Sequence, residues 1–221
     1  MIKATLIDHM GTDLTVVNAA RVSFNKTSNW ELTDWRDSED YARKEVLSKG
    51  DTKLVNYLAK HKHTSPFGHC FASFHIKAPI FVARQLVKHK FLRWNEISRR
   101  YVDDEPEFYQ PDEWRGRSAD KKQGSDGVVD VGKIGDISLA SKTLYNSLLD
   151  RGVAPEQARM VLPQSTMTEW YWSGSLDAFA DMCNLRLKTD TQYETRQVAW
   201  QIDKIMVDLF PVSWVALLGD E

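Results

Sequence analysis

The stretch HCFASFHIKAPIFVARQLVKHK, residues 69–90, changes its hydrophobic period part-way along. Up to Ala78 it alternates, with Cys70, Ala72, Phe74 and Ile76 set against Phe71, Ser73 and His75, the pattern of a strand with one buried face. Pro79, suited to a first helical position, then opens IFVARQLVKHK, whose basic end is expected on that helix's last turn. A half-buried strand running straight into a helix is consistent with a sheet flanked by helices.

The rest of the chain fits such a plan. IKATLID reads as a short strand, and residues 10–13 supply a turn and helix cap before LTVVNAARVSF. TMTEWYW is a strand among helices: ISLASKTLYNSLLDRG, PEQARMVL (a single short helix stopped by Pro163), LDAFADMCNLRL after a cap at Ser175, and a last helix over about 191–210. That last pattern carries Val198, Ile202, Ile205, Met206 and Leu209 on one face. NWELTDWRDSED reads as a connector, and YARKEVLSKG and TKLVNYLAKHK as two short helices, with Gly50 as a stop and Asp51 as a new cap. The prolines, acidic residues and glycines of 102–135 predict an irregular surface excursion there. The expected fold class is α+β: a central, mostly antiparallel sheet flanked by helices, with a helical C-terminal half. The whole chain, 221 residues, is expected to form a single domain.

A formal charge of -2 argues against a protein that coats nucleic acid through its overall charge. Cys70 and Cys183 sit in apolar runs and offer neither a disulfide framework nor a metal cluster. They read as small buried hydrophobes, not thiolate nucleophiles. The opening MIKATLIDHMGTDL has no apolar core of signal-peptide length, and no run approaches a membrane span, so a reducing cytoplasmic location is expected.

Against this balanced background, KHKFLRWNEISRRY (88–101) stands out. From Arg84 to Tyr101, six lysines and arginines face only Glu96, a formal +5. Lys88, His89 and Lys90 alone could be the basic residues that a helix C-terminus tolerates. Arg93, Arg99 and Arg100 extend the charge beyond that end, however, while Asn95, Glu96 and Ser98 add hydrogen-bonding groups. A carboxylate among cations suits a ligand that is anionic at one end and offers hydroxyl or ring N–H groups at the other, which describes a nucleotide. Ser98 lacks an Asp-His pair in a recognisable motif and is read as a hydroxyl contact, not a nucleophile. His61, His63 and His69 share close spacings, but no Cys or carboxylate completes a zinc pattern, so no metal is expected.

KHKFLRWNEIS resembles the signature of the flavin-dependent thymidylate synthases, written R-H-R, seven residues, then S, with Lys88 and Lys90 in the arginine positions. Arg100 and Tyr101 match its Arg-Tyr continuation. AARVSF, HTSPFGH, EQARMVLP and NLRLKTDTQYETR are similar to further blocks that the family has in this order, so the resemblance covers nearly the whole chain.

The resemblance implies an enzyme that makes dTMP from dUMP, with methylenetetrahydrofolate as one-carbon donor, NADPH as reductant and FAD as the flavin. It implies dUMP contacts at Gln85, Lys88, Glu96, Ser98, Arg99, Arg100, Arg159 and Arg186. It also implies a flavin site at Ser23, His63, Lys88, His89, Lys90 and Glu96, and a homotetramer whose active sites lie where subunits meet. Arg186 is implied to be catalytic, stabilising negative charge that develops on the uracil ring; the bland alternative is a helix arginine paired with Glu194 or Asp190. Lys88 and Lys90 give up arginine's forked geometry. Gly68 stands where the family often has Glu, and Ser175, Asp177 and Asp181 stand where relatives have other residues near the flavin's adenosine part. Two other readings are a flavoprotein of the same fold without synthase activity, and a nucleic-acid-binding module that uses 88–101 as a basic arm.

Overall fold

The computed structural model describes residues 1–37, 40–120, 124–132 and 137–219, with the side chains of 34–43 outside the description. Four strands, β1 (Lys3–Met10), β4 (Phe71–Pro79), β5 (Arg93–Glu96) and β8 (Met167–Ser175), form an antiparallel sheet in the order β1-β4-β8-β5. The alternation of β4 holds residue by residue. Ala72, Phe74, Ile76 and Ala78 are buried, while Ser73, His75 and Lys77 take the other face. There the Ser73 hydroxyl bonds Ser173 at 2.9 Å, and His75 and Lys77 both reach the Glu169 carboxylate.

On the buried face, Phe74 meets Phe179 edge-on at 5.2 Å, Trp172 meets Phe179 at 5.6 Å, and Trp94 stacks on Trp170 at 4.3 Å. Phe179 belongs to α6 (Leu176–Arg186), which with α1 (Asp13–Arg21), α2 (Lys49–Lys60), α3 (Ile80–Leu86), α7 (Tyr193–Leu209) and α8 (Pro211–Leu218) contributes to one core. Truncating any of these buried aromatics to alanine costs on the order of 3–5 kcal/mol. Trp170, Trp172 and Trp214 are fully buried within the single chain. Gly174 of β8 permits a close approach: a Cβ there would lie 2.4 Å from a Leu92 methyl, so the basic segment that leads into β5 crosses directly over the strand.

The two ends of the sequence are tied together. The Asp13 carboxylate accepts from the backbone N–H groups of Val212 and Ser213 at 2.9 and 2.8 Å, capping α8 from a distant part of the chain. The side chain of Gln201 likewise accepts from Ala4 N–H at 3.0 Å and donates to Ile2 O at 3.3 Å.

Four local expectations are corrected. The stretch read as a connector and a short helix is a hairpin of β2 (Glu31–Asp37) and β3 (Asp40–Val46), registered from Glu31 opposite Val46 to Asp37 opposite Asp40; residues 38–39 lie outside the description. The helical propensity of YARKEV is a weak prior that strand pairing overrides. Ser48, not Asp51, caps α2, and Gly50 lies inside its first turn. The Ser48 hydroxyl accepts from Asp51 N–H at 3.0 Å and donates to the Asp51 carboxylate at 2.8 Å. That carboxylate, 3% exposed, also receives Arg21 and Ser28, and these bonds hold it below the usual range against burial, which pushes it up. Thirdly, α3 ends at Leu86, so Lys88–Lys90 lie beyond the helix rather than on its last turn.

The fourth correction concerns 102–135, which is more ordered than an irregular excursion. Phe108 bridges Thr166, and Tyr109 N–H donates to Ser165 O at 2.8 Å. The hairpin of β6 (Arg115–Arg117) and β7 (Ser125–Val128) follows; 121–123 and 133–136 lie outside the description. The helices α4 (Ile137–Asp150) and α5 (Pro155–Ala158) come next, and a 3-10 turn over Arg159–Val161 completes the expected PEQARMVL helix. Among the described residues, no helix is long and apolar enough to cross a membrane.

Candidate active site

A cleft of about 1130 Å³ opens where the end of α3, the end of α6 and the start of α7 meet the 109–125 segment. Phe81, Gln85 and Lys88 line one side, Leu185, Arg186, Gln192 and Glu194 another, and Tyr109, Trp114 and Arg115 roof it. The roof docks by backbone contact. At Gly124, whose φ is +134°, a Cβ would stand 3.0 Å from Asp190 O, in a conformation that L residues rarely adopt.

Arg186 is the last residue of α6, where the helix dipole favours a cation. Its side chain turns inward. Nε–H donates to His89 Nε2 at 3.1 Å, and Nη2 donates to Gln85 O at 3.2 Å. Because His89 accepts at Nε2, its ring proton sits on Nδ1 and the imidazole is neutral. Burial, and then the neighbouring guanidinium, pull His89 down to about 4. Burial also pulls Arg186 below its ordinary value, not far enough to deprotonate a guanidinium near neutrality. Glu194 does not neutralise Arg186, because Arg115 takes that carboxylate, and no carboxylate partner of Arg186 occurs among the described residues. A cation fixed by neutral groups on the wall of a nucleotide-sized cleft is arranged to meet an anion or a developing negative charge.

The sequence-predicted residues fall into three groups. Gln85, Lys88, His89 and Arg186 come together at the cleft. Glu96, Ser98, Arg99 and Arg100 lie along β5 and the turn after it, with Lys90 exposed just before the strand. Both Glu96 oxygens are engaged, by Thr168 Oγ1 at 2.6 Å and Trp94 Nε1 at 3.1 Å. Arg99 donates to Asp104 O at 2.7 Å, the Ser98 hydroxyl accepts from Arg100 N–H at 3.3 Å, and the Arg100 guanidinium lies 5.3 Å from the Tyr101 ring centre. The third group is exposed and does not line the cleft: Ser23 in a 3-10 turn, His63 edge-on to Tyr57, and Arg159 bonded to Glu156 O at 3.2 Å.

Reading the sequence missed Tyr109, Arg115, Gln192 and Glu194. The available signal was a Gln-x-Glu pair at the start of a helix inside a block already singled out for Arg186. Both cysteines are buried. Burial and Asp13 push the Cys70 thiol up to about 12, and burial raises Cys183 well above its ordinary value, so neither is poised as a thiolate.

Comparison with known proteins bears on the family of the chain. The sequence model of the family described as thymidylate synthase complementing protein matches residues 5–212. The chain is 38% identical to the flavin-dependent thymidylate synthase of Thermus thermophilus over 96% of this chain and 73% of that protein. It is 39% identical to the enzyme of that name from Kosmotoga olearia, over 97% and 89%. Among solved structures, the UMP/dUMP methylase PolB from Streptomyces cacaoi bound with 5-Br dUMP superposes with a TM-score of 0.75 at 31% identity, covering 98% of this chain and 94% of that one. On the strength of a match along almost its entire length, this chain belongs to the thymidylate synthase complementing protein family, the family of the flavin-dependent thymidylate synthases.

Proposed function

We propose that the protein makes dTMP from dUMP, taking the one-carbon unit from methylenetetrahydrofolate and reducing equivalents from NADPH through FAD. The observation that carries the reading is Arg186: a half-buried guanidinium with no carboxylate partner among the described residues, held by His89 and Gln85 O in a cleft roomy enough for a nucleotide. A uracil ring against it would gain a fixed positive charge as its carbonyl edge becomes enolate-like, making C5 more nucleophilic. Lys88, Ser98, Arg99, Arg100 and Arg159 are proposed to hold the phosphate, and Glu96 to accept from the nucleoside.

The donor set also fits a flavin dinucleotide. Lys88 and Lys90 are exposed and without an ion-pair partner among the described residues, which suits a diphosphate, while His89 offers a neutral ring N–H. Ser23, His63 and Glu96 would complete the holding set. When bound, FAD supplies hydride transfer between the nicotinamide and the one-carbon unit.

The site residues that one chain leaves apart each have an exposed apolar residue next to them in sequence. Val22 and Phe24 flank Ser23, Phe91 follows Lys90, Tyr101 follows Arg100 and Met160 follows Arg159, and each of these apolar residues is at least 70% exposed. Exposed apolar side chains beside cations that have no ion-pair partner among the described residues suit faces that meet another copy, and we assign them to a homotetramer with shared active sites.

The test is direct. The purified protein should be yellow with flavin absorption bands, oxidise NADPH faster when dUMP is added, and release dTMP when methylenetetrahydrofolate is present. A colourless protein that forms no dTMP overturns the reading. A yellow protein that forms none supports the alternative raised by Lys88 and Lys90, a flavoprotein whose lost arginine forks have ended synthase activity.

A further inference from the structure

We propose that Glu194, anchored by Arg115 of the cleft roof, is a positioning residue that fixes the orientation of two side-chain amides, Gln192 and Gln85, and through them the group that Gln85 presents to the nucleotide beside Arg186. The proposal rests on the nucleotide reading of the cleft and adds residues that sequence reasoning left out.

The chain of bonds has a direction that chemistry enforces. Arg115 can only donate, and its Nη2 donates to Glu194 Oε1. Arg115 is itself fixed, by Nε–H to Ser125 Oγ at 3.1 Å and by its guanidinium 4.1 Å from the Tyr193 ring centre. Tyr109 OH gives Glu194 a further donor at 3.4 Å. Glu194, 5% exposed, accepts from Gln192 Nε2 at its second oxygen, at 3.2 Å. The Gln192 amide nitrogen is therefore committed to Glu194, and its oxygen must face the other way, where it accepts from Gln85 Nε2. Gln85 Nε2 also points at Phe81 O, 3.4 Å away, which can only accept. Its oxygen accepts from the Thr195 hydroxyl at 3.1 Å.

Each amide could be turned over without change of shape, so shape alone does not choose its orientation. The Glu194 carboxylate does, because it has no proton to offer Gln192. Gln85 thus has both N–H groups occupied within the protein and keeps only an oxygen lone pair for a ligand, while its backbone carbonyl receives Arg186. An ion pair that merely stapled the roof hairpin to α7 would need neither glutamine.

Glu194→Gln is the near-isosteric test, because a glutamine can present N–H to Gln192 and release its direction, leaving Gln85 oriented only by the long 3.4 Å contact to Phe81 O and by Thr195. Wild type is titrated with dUMP first, with folding of every variant followed by thermal unfolding. Glu194→Gln is expected to stay folded and to raise the dUMP dissociation constant and KM about tenfold, with kcat changed less. In an Arg186→Ala background, the same substitution should weaken dUMP binding no further, because the two residues act in one series. Arg115→Lys, which keeps the charge and loses the fork, should fall between wild type and Arg115→Ala. If Glu194→Gln does not fold, Gln192→Ala removes the next link and carries the same comparison. Unchanged dUMP affinity in a folded variant, or a loss that adds in full to that of Arg186→Ala, overturns the positioning role alone. A wild type that binds no dUMP overturns the nucleotide reading, and this proposal with it.

Discussion

The cleft wall and the basic edge carry the same kinds of side chain and treat them oppositely. At the wall, Arg186 is half-buried, bonded to a neutral histidine and a backbone carbonyl, and backed by a row of amides whose direction is fixed. Along the edge, Lys90 and Arg100 stand in water, and Arg99 leans on the carbonyl of a nearby aspartate. The wall is preorganised for one geometry at the expense of desolvation, whereas the edge is free to close on whatever anion arrives. Position and charge are thus divided between two parts of the chain: one suited to chemistry, the other to capture.

The sharpest way to break this contrast is Arg186→Ala. It should lower dTMP formation by a factor on the order of 100–1000 or more, as removing a preorganised donor does, with the unfolding temperature nearly kept. A variant retaining most of its turnover would erase the difference between wall and edge. Arg100→Ala should act more mildly, raising the dUMP KM roughly three- to tenfold with kcat close to wild type, and the loss should shrink in high salt because the contact is exposed. Steady-state kinetics at two ionic strengths separates the cases.

Acid should also tell the two regions apart. His89 is held down to about 4 in the folded protein against an ordinary value near 6.5. Between these values the unfolded chain binds the extra proton and the folded one does not. The stability from keeping this ring neutral is therefore complete above about pH 6.5 and is lost as pH falls toward 4. Unfolding curves across that window should slope, and His89→Gln should flatten the slope. Substituting Arg100 should leave it alone. The smallest expected effect on activity is that of the double variant Cys70→Ala/Cys183→Ala. It should keep full turnover while losing on the order of 1–2 kcal/mol of stability from two buried sites.

What the sequence disclosed followed the reach of its signals. The alternation of β4 and β8 and the period of α7 are local patterns, and they predicted strands and helices that the structure contains. The β2–β3 hairpin was hidden because its charged residues suit a helix as well as a strand, and only pairing across the turn decides between them. Within the site, Arg186 was reachable because it sits in a recognisable block. The Arg115–Glu194 pair was not, since it joins a three-residue strand too short to show a period to a helix start 79 positions later. Glu194 was read only as a possible ion-pair partner of Arg186, whereas in the folded protein Arg115 takes it.

Asp13 reaching across to cap α8 has a consequence for biosynthesis. The two amides that the carboxylate must satisfy leave the ribosome 199 and 200 positions after it. Until they emerge, Trp214 is missing from the core and the hydrophobic faces of α1 and α2 lack a cover. Folding with so large a sequence separation is slow to nucleate, so the nascent chain should depend on chaperones that shield those faces until α8 emerges.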